Sequence, residues 1–132
     1  EWLFSWYKYL TREEISDPKN HGHHLYSGRL TFDEFTRDYL LPVEKRQSCT
    51  KFLGSPSRFY KSADGKNKMD YLFKFDELNK LVSFFQERVG ESINLDKHNI
   101  SPNINLNLSP ETHEKLKSYV ENDYSLYYNN TM

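Results

Sequence analysis

Residues 70–90 read DYLFKFDELNKLVSFFQERVG, from Asp70 to Gly90, and whether they form a strand followed by a helix decides the fold class. The first half, DYLFKF, packs aromatic and apolar side chains between a loop and a helix signal, which predicts a buried strand over residues 71–75. In the second half Leu78, Leu81, Val82, Phe85 and Val89 recur on one helical face, predicted to be the packed one. Asp76 supplies an N-cap oxygen, and Gly90 accepts the left-handed conformation that ends a helix.

Upstream of this stretch, GSPSRFYKSADGKNK breaks all periodicity with Gly54, Pro56 and Gly65, a loop of cationic character. A second short helix is expected between Val43 and Leu53, packing Val43, Phe52 and Leu53. In TFDE, Thr31 and Glu34 stand at the spacing of a capping box, so a helix from Phe32 to Leu40 is expected, stopped before Pro42. Thr11 to Leu30 holds Pro, Gly, Asn and clustered His without a sustained period and reads as a long loop with one helical turn. The opening EWLFSWYKYL is apolar in almost every direction, a helix expected to be buried on most of its surface. Ser5 is its one small hydroxyl.

Downstream, the alternation of Ile104, Leu106 and Leu108 with Asn predicts an extended crossing segment without regular pairing. Ser109, Pro110 and Glu111 form a helix start, and the helix runs to about Tyr127 with Leu116, Tyr119, Val120 and Tyr124 as its buried stripe. No repeat or linker divides the chain, so residues 1–132 read as one domain.

Lys and Arg total 18 against 19 Asp and Glu, a net charge of −1 that gives no general attraction to nucleic acid or anionic lipid. No apolar run approaches the roughly 18 residues of a membrane span. The single Cys49 excludes an internal disulfide and reads as a small packed residue without a neighbouring base. His21, His23 and His24 lack a carboxylate or thiol at ligand spacing, so HGHH reads as a polar loop and no metal is expected. His98 and His113 sit in polar surroundings and read as surface residues, Lys74 as a solvated charge, and Asp123 as a local pair or cap. Asn99, Asn107 and Asn129 begin Asn-x-Ser/Thr sequons that accept glycans only in a secretory lumen.

Taken in order, four segments resemble the sulfotransferase superfamily. EWLFSWYKY is similar to the second half of that family's R-x-P-Y-[DE]-x-x-x-S-x-Y motif, with Glu1, Ser5 and Tyr7 on its acidic, serine and tyrosine positions. DYLFKFDEL, Asp70 to Leu78, resembles its d-h-h-h-R-F-E-x-L strand-to-helix segment, with Lys74 where arginine is usual and Asp76 where glutamate is usual. TFDEF matches its S/T-F-x-E-F helix start, and YVENDYSLY, Tyr119 to Tyr127, resembles its closing helix. The resemblance implies an α/β, P-loop-type fold of which this chain is the C-terminal portion. The phosphate loop and first strand are then expected in an N-terminal part of the same fold preceding Glu1.

The same resemblance implies transfer of a sulfuryl group from 3′-phosphoadenosine 5′-phosphosulfate (PAPS) to a hydroxyl or amine acceptor, carbohydrate among the candidates. Ser5 would bind the cofactor's 3′-phosphate together with an upstream arginine. Arg58 and Lys61, in the basic loop that folds over the nucleotide in the family, are the further candidates. The catalytic lysine and base belong to upstream segments of the family, so no catalytic residue is assigned in this chain, and the chain alone is expected to be inactive. Tyr26 and the HGHH histidines fall on the family's acceptor side. A cytoplasmic setting is expected, with the Golgi or another secretory lumen as the alternative. The reading from a different class is a mostly helical, non-enzymatic interaction module whose first helix packs on a partner.

Overall fold

A computed structural model of the chain describes residues 2–59, 61, 62, 64, 66, 69–74, 77–95 and 104–130, with side chains at all of these except 57, 122 and 126–130. The described residues are mostly helical, and no strand forms among them. Residues 1–56 with 101–121 make one compact unit, and residues 57–100 with 122–132 make a second.

In the first unit α1 (Trp2–Leu10) and α3 (Phe32–Tyr39) pack together. Leu3, Tyr7 and Leu10 are buried at i, i+4 and i+7, facing Phe32, Phe35 and Tyr39 at i, i+3 and i+7. The Tyr7 ring lies 5.3 Å from Phe32 and 5.1 Å from Phe35, and its hydroxyl donates to the Leu30 carbonyl at 2.6 Å. Full burial of each such side chain contributes roughly 1.5–3 kcal/mol. Burial was expected over most of α1, but one stripe is buried and Ser5 and Tyr9 are exposed. Trp2, Phe4 and Trp6 are half-buried, since a single neighbouring layer covers one side of a helix.

The capping box forms as its spacing predicts. Thr31 Oγ1 accepts the Glu34 amide at 3.2 Å, and Glu34 Oε2 accepts the Thr31 amide at 2.8 Å. The loop from Thr11 to Leu30 contains the short helix α2 (Glu13–Ser16) and a 3-10 turn at His23–Leu25. The helix expected between Val43 and Leu53 is broken in two, a 3-10 turn at Val43–Lys45 and then α4 (Ser48–Lys51). Arg46 and Gln47 between them are extended, with ψ of 150° and 162°, because the Arg46 side chain turns inward. Leu53 is buried as expected, whereas Val43 and Phe52 are exposed.

Ile104, Leu106 and Leu108 alternate inward against this core without a ladder, and Asn105 and Asn107 face outward. The last helix, α6, follows at Pro110–Asn130, numbered after α5 of the second unit (Leu78–Val89). Ser109 Oγ accepts the Thr112 amide at 3.3 Å, and Asp33 of α3 accepts the Ser109 amide at 2.8 Å. The expected stripe on α6 is corrected: Thr112 is the buried residue, Leu116 and Val120 are half-buried, and Tyr119 and Tyr124 are exposed.

In the second unit residues 71–74 are irregular, so the strand expected at 71–75 is absent where the chain is described; residue 75 lies outside the described residues. A strand requires a partner for its amides and carbonyls, and among the described residues no segment offers one. Tyr71 and Phe73 instead pack on Phe84 of α5, at 4.5 and 5.2 Å between ring centroids. Gly90 ends α5 with φ of 75°, its amide donating to the Gln86 carbonyl at 2.9 Å. The cap expected from Asp76 falls outside the described residues. The apolar face of α5 is not packed as expected, since Leu78, Phe85 and Val89 are exposed. Periodicity selects a face without supplying the element that covers it.

Candidate functional site

Ser5 projects from the exposed side of α1 onto an open hollow of about 510 Å³ lined by Trp2, Trp6, Tyr9, Leu10, Leu25 and Phe52. Trp6 organises one wall, with its ring edge-on to Phe52 at 5.3 Å and to Tyr9 at 5.9 Å. Ser5 is exposed, and the Glu1 carbonyl to which a helix serine at this position can donate lies outside the described residues. The Arg12 guanidinium lies 5.1 Å over the Tyr9 ring at the margin. Among the described residues no cation lines the hollow, so Ser5 and Tyr9 bring hydroxyls for a phosphate but not the charge that would neutralise it. On their own they do not make a phosphate site.

The other two candidates belong to the second unit. Arg58 is exposed in the 3-10 turn at Pro56–Phe59, and Lys61 is half-buried beside a tight turn. In that turn the Ser62 amide donates to the Lys66 carbonyl at 2.8 Å, and Asp64 accepts the Lys66 amide at 3.1 Å and the Ser62 hydroxyl. Hydrogen bonds to its carboxylate, the Ser62 hydroxyl foremost, lower the Asp64 pKa from its ordinary value. Lys66 of the basic loop thus faces an acid of the same loop, 3.8 Å away. Ser5 lies in the first unit, so each group of candidates is placed within its own unit.

The HGHH loop is held by its own rings. His23 Nδ1 lies 3.3 Å from the Ile15 carbonyl and His24 Nδ1 lies 3.0 Å from the His21 carbonyl. Among the described residues no group of three His, Cys, Asp or Glu is placed to hold a metal, and no helix is long and apolar enough to cross a membrane. Cys49 is buried, and that burial, with the nearby Asp38 charge, pushes its thiol pKa up, so it stays protonated and packs. His113 is exposed beside Glu114, Lys74 is half-buried, and His98 lies outside the described residues.

A buried polar network was not anticipated from the sequence. Arg46, 8% exposed, donates from Nε to the Leu41 carbonyl at 2.8 Å, from one terminal nitrogen to the Leu53 carbonyl at 3.0 Å, and from the other to the Tyr119 hydroxyl at 3.3 Å. Its guanidinium also lies 4.7 Å over the Tyr39 ring. Asp38 accepts the Gln47 amide and the Thr50 hydroxyl. No local pattern marks these residues, because their partners are distant or are backbone carbonyls.

No protein-family model, curated protein sequence or solved structure gives a significant match to this chain.

Proposed function

We propose that this chain is the C-terminal part of a sulfotransferase that moves a sulfuryl group from PAPS to a hydroxyl or amine acceptor. The observation that carries the reading is the place of Ser5: it is exposed and lines an open hollow on the face of α1 opposite the buried Leu3 and Tyr7. The capped start of α3 adds support, because it falls at the TFDEF segment of the resemblance.

In this reading Ser5 donates to the nucleotide's 3′-phosphate, and the neutralising arginine comes from the segment that the resemblance assigns ahead of Glu1. Arg58 and Lys61 supply positive charge to the nucleotide from the basic loop. Sulfuryl transfer moves a highly charged group between two oxygens, so it depends on positioning and on cations set against developing charge. The chain's own contribution is nucleotide binding. The P-loop-type α/β architecture is part of the same proposal.

The test is transfer of labelled sulfate from PAPS by the protein in its natural length to panels of sugar, phenol and amine acceptors. Transfer that falls at least tenfold in the Ser5→Ala variant is expected; absence of transfer to every panel contradicts the reading.

A helical interaction module is the second reading, favoured by the exposed Leu78, Phe85 and Val89 face of α5. The coding sequence ahead of Glu1 separates the two. An Arg-x-Pro-Tyr directly before Glu1 favours the transferase, and a start codon there favours the module.

A further inference from the structure

A second cavity, of about 450 Å³, lies in the first unit between the His23–Leu25 turn and the start of α4, lined by His23, His24, Tyr26, Arg29, Gln47 and Ser48 with Leu30 and Cys49. Its size falls within the range of about 300–1,000 Å³ usual for small-molecule sites. The lining carries hydrogen-bond donors in a guanidinium, a phenol, an amide and a hydroxyl, beside two imidazoles and with no carboxylate among the lining residues. Asp38, whose charge reaches Cys49, already has its oxygens occupied by the Gln47 amide and the Thr50 hydroxyl. The histidine Nδ1 atoms are turned to backbone carbonyls, so in the neutral rings each Nε2 is an acceptor and donates to an oxyanion only when the ring is protonated.

One wall is built by a specific accommodation. The Tyr26 ring stacks on His23, 6.4 Å between centroids at an interplanar angle of 10°, and folds over Gly28 so closely that a Cβ there would collide with the phenol oxygen. Only glycine lets the ring occupy that position without displacement.

We propose that this cavity binds a small molecule bearing a phosphate or sulfate group, with Arg29 as the forked donor to the oxyanion, Ser48 and Gln47 as neutral donors, and the Tyr26 ring as the wall for its organic part. Arginine's planar fork matches two oxyanion oxygens at once, and a charge-assisted pair of this kind is about twice as strong as a neutral hydrogen bond. A lining without acid removes the repulsion that would otherwise oppose an anion. This assignment rests on the cavity's own lining; the sulfuryl-transfer reading places its nucleotide at the Ser5 hollow and gives Tyr26 and the histidines no anion to bind.

The experiment is calorimetric titration of the full chain with inorganic phosphate, inorganic sulfate and glucose 6-phosphate, none of which contains adenosine. Saturable binding is expected, tighter for the ester than for the free ions because the cavity has room for its sugar. Arg29→Gln should weaken it at least tenfold, Arg29→Lys less, and Gly28→Ala should weaken the ester more than the ions by dislodging the Tyr26 ring. Arg37→Gln, an exposed cation paired to Asp33 on α3, should leave binding unchanged. Absence of saturable binding by all three probes, equal binding by Arg29→Gln and the parent chain, or an equal loss in Arg37→Gln overturns the proposal.

Discussion

Asp38, near the C-terminal end of α3, accepts the backbone amide of Gln47 at 3.0 Å, so α4 is capped by a side chain from another helix. Gln47 makes no side-chain cap of its own, and Thr50 Oγ1 donates to the same carboxylate. Asp38→Ala leaves the buried Thr50 hydroxyl and the part-buried Gln47 amide without this acceptor and should destabilise the protein by about 2 kcal/mol. Urea denaturation with an unchanged slope is the measurement.

Arg46 makes three hydrogen bonds that depend on a planar fork, two of them to carbonyls at the ends of the Leu41–Leu53 segment. Arg46→Lys keeps the charge but cannot reach all three acceptors, and should cost about 2 kcal/mol in the same assay. Tyr119→Phe removes only the 3.3 Å contact and should cost about 0.5–1.5 kcal/mol.

Ser27 is fully buried, and its hydroxyl has no hydrogen-bond partner among the described residues. Removing an unpaired buried hydroxyl relieves its desolvation cost, so Ser27→Ala should raise stability by about 1 kcal/mol. A higher melting temperature by calorimetry is the expected result.

Hydrogen bonds from Thr31 lower the Glu34 pKa from its ordinary 4.5, and the Ser109 amide, with Thr112 and Arg37, lowers the Asp33 pKa from 3.8. Both groups are ionised more readily folded than unfolded. Their stabilising contributions are therefore complete above the ordinary values and are lost as pH falls from there through the lowered ones. Stability should decline over that acid window, and Glu34→Gln should flatten the decline. Denaturation midpoints measured at a series of pH values from neutral into the acid range check this.

Local signals in the sequence carried much of the helix plan. The Thr31 and Glu34 spacing, the left-handed Gly90 stop and Pro110 after Ser109 each depend on chemistry within one turn, and each holds where expected. What depended on a distant partner was not legible. Residues 71–74 have the composition of a strand but find no ladder among the described residues, and α5 has an apolar face that remains exposed. Arg46 and Asp38 look like surface charges until Tyr119, Leu53 and Thr50 arrive from elsewhere in the chain. Around the candidate site, the sequence singled out Ser5 but not the aromatic hollow beside it, because Leu25 and Phe52 reach that hollow only through the folded loop.

Calorimetric titration of the natural-length protein with 3′-phosphoadenosine 5′-phosphate, alongside its Ser5→Ala variant, bears most directly on the sulfotransferase reading. Saturable binding that weakens about tenfold when the hydroxyl is removed is the result expected for a charge-assisted hydrogen bond to phosphate. No binding, or identical affinity in the two proteins, would contradict the role given to Ser5 and with it the account of this chain as part of a PAPS-dependent enzyme.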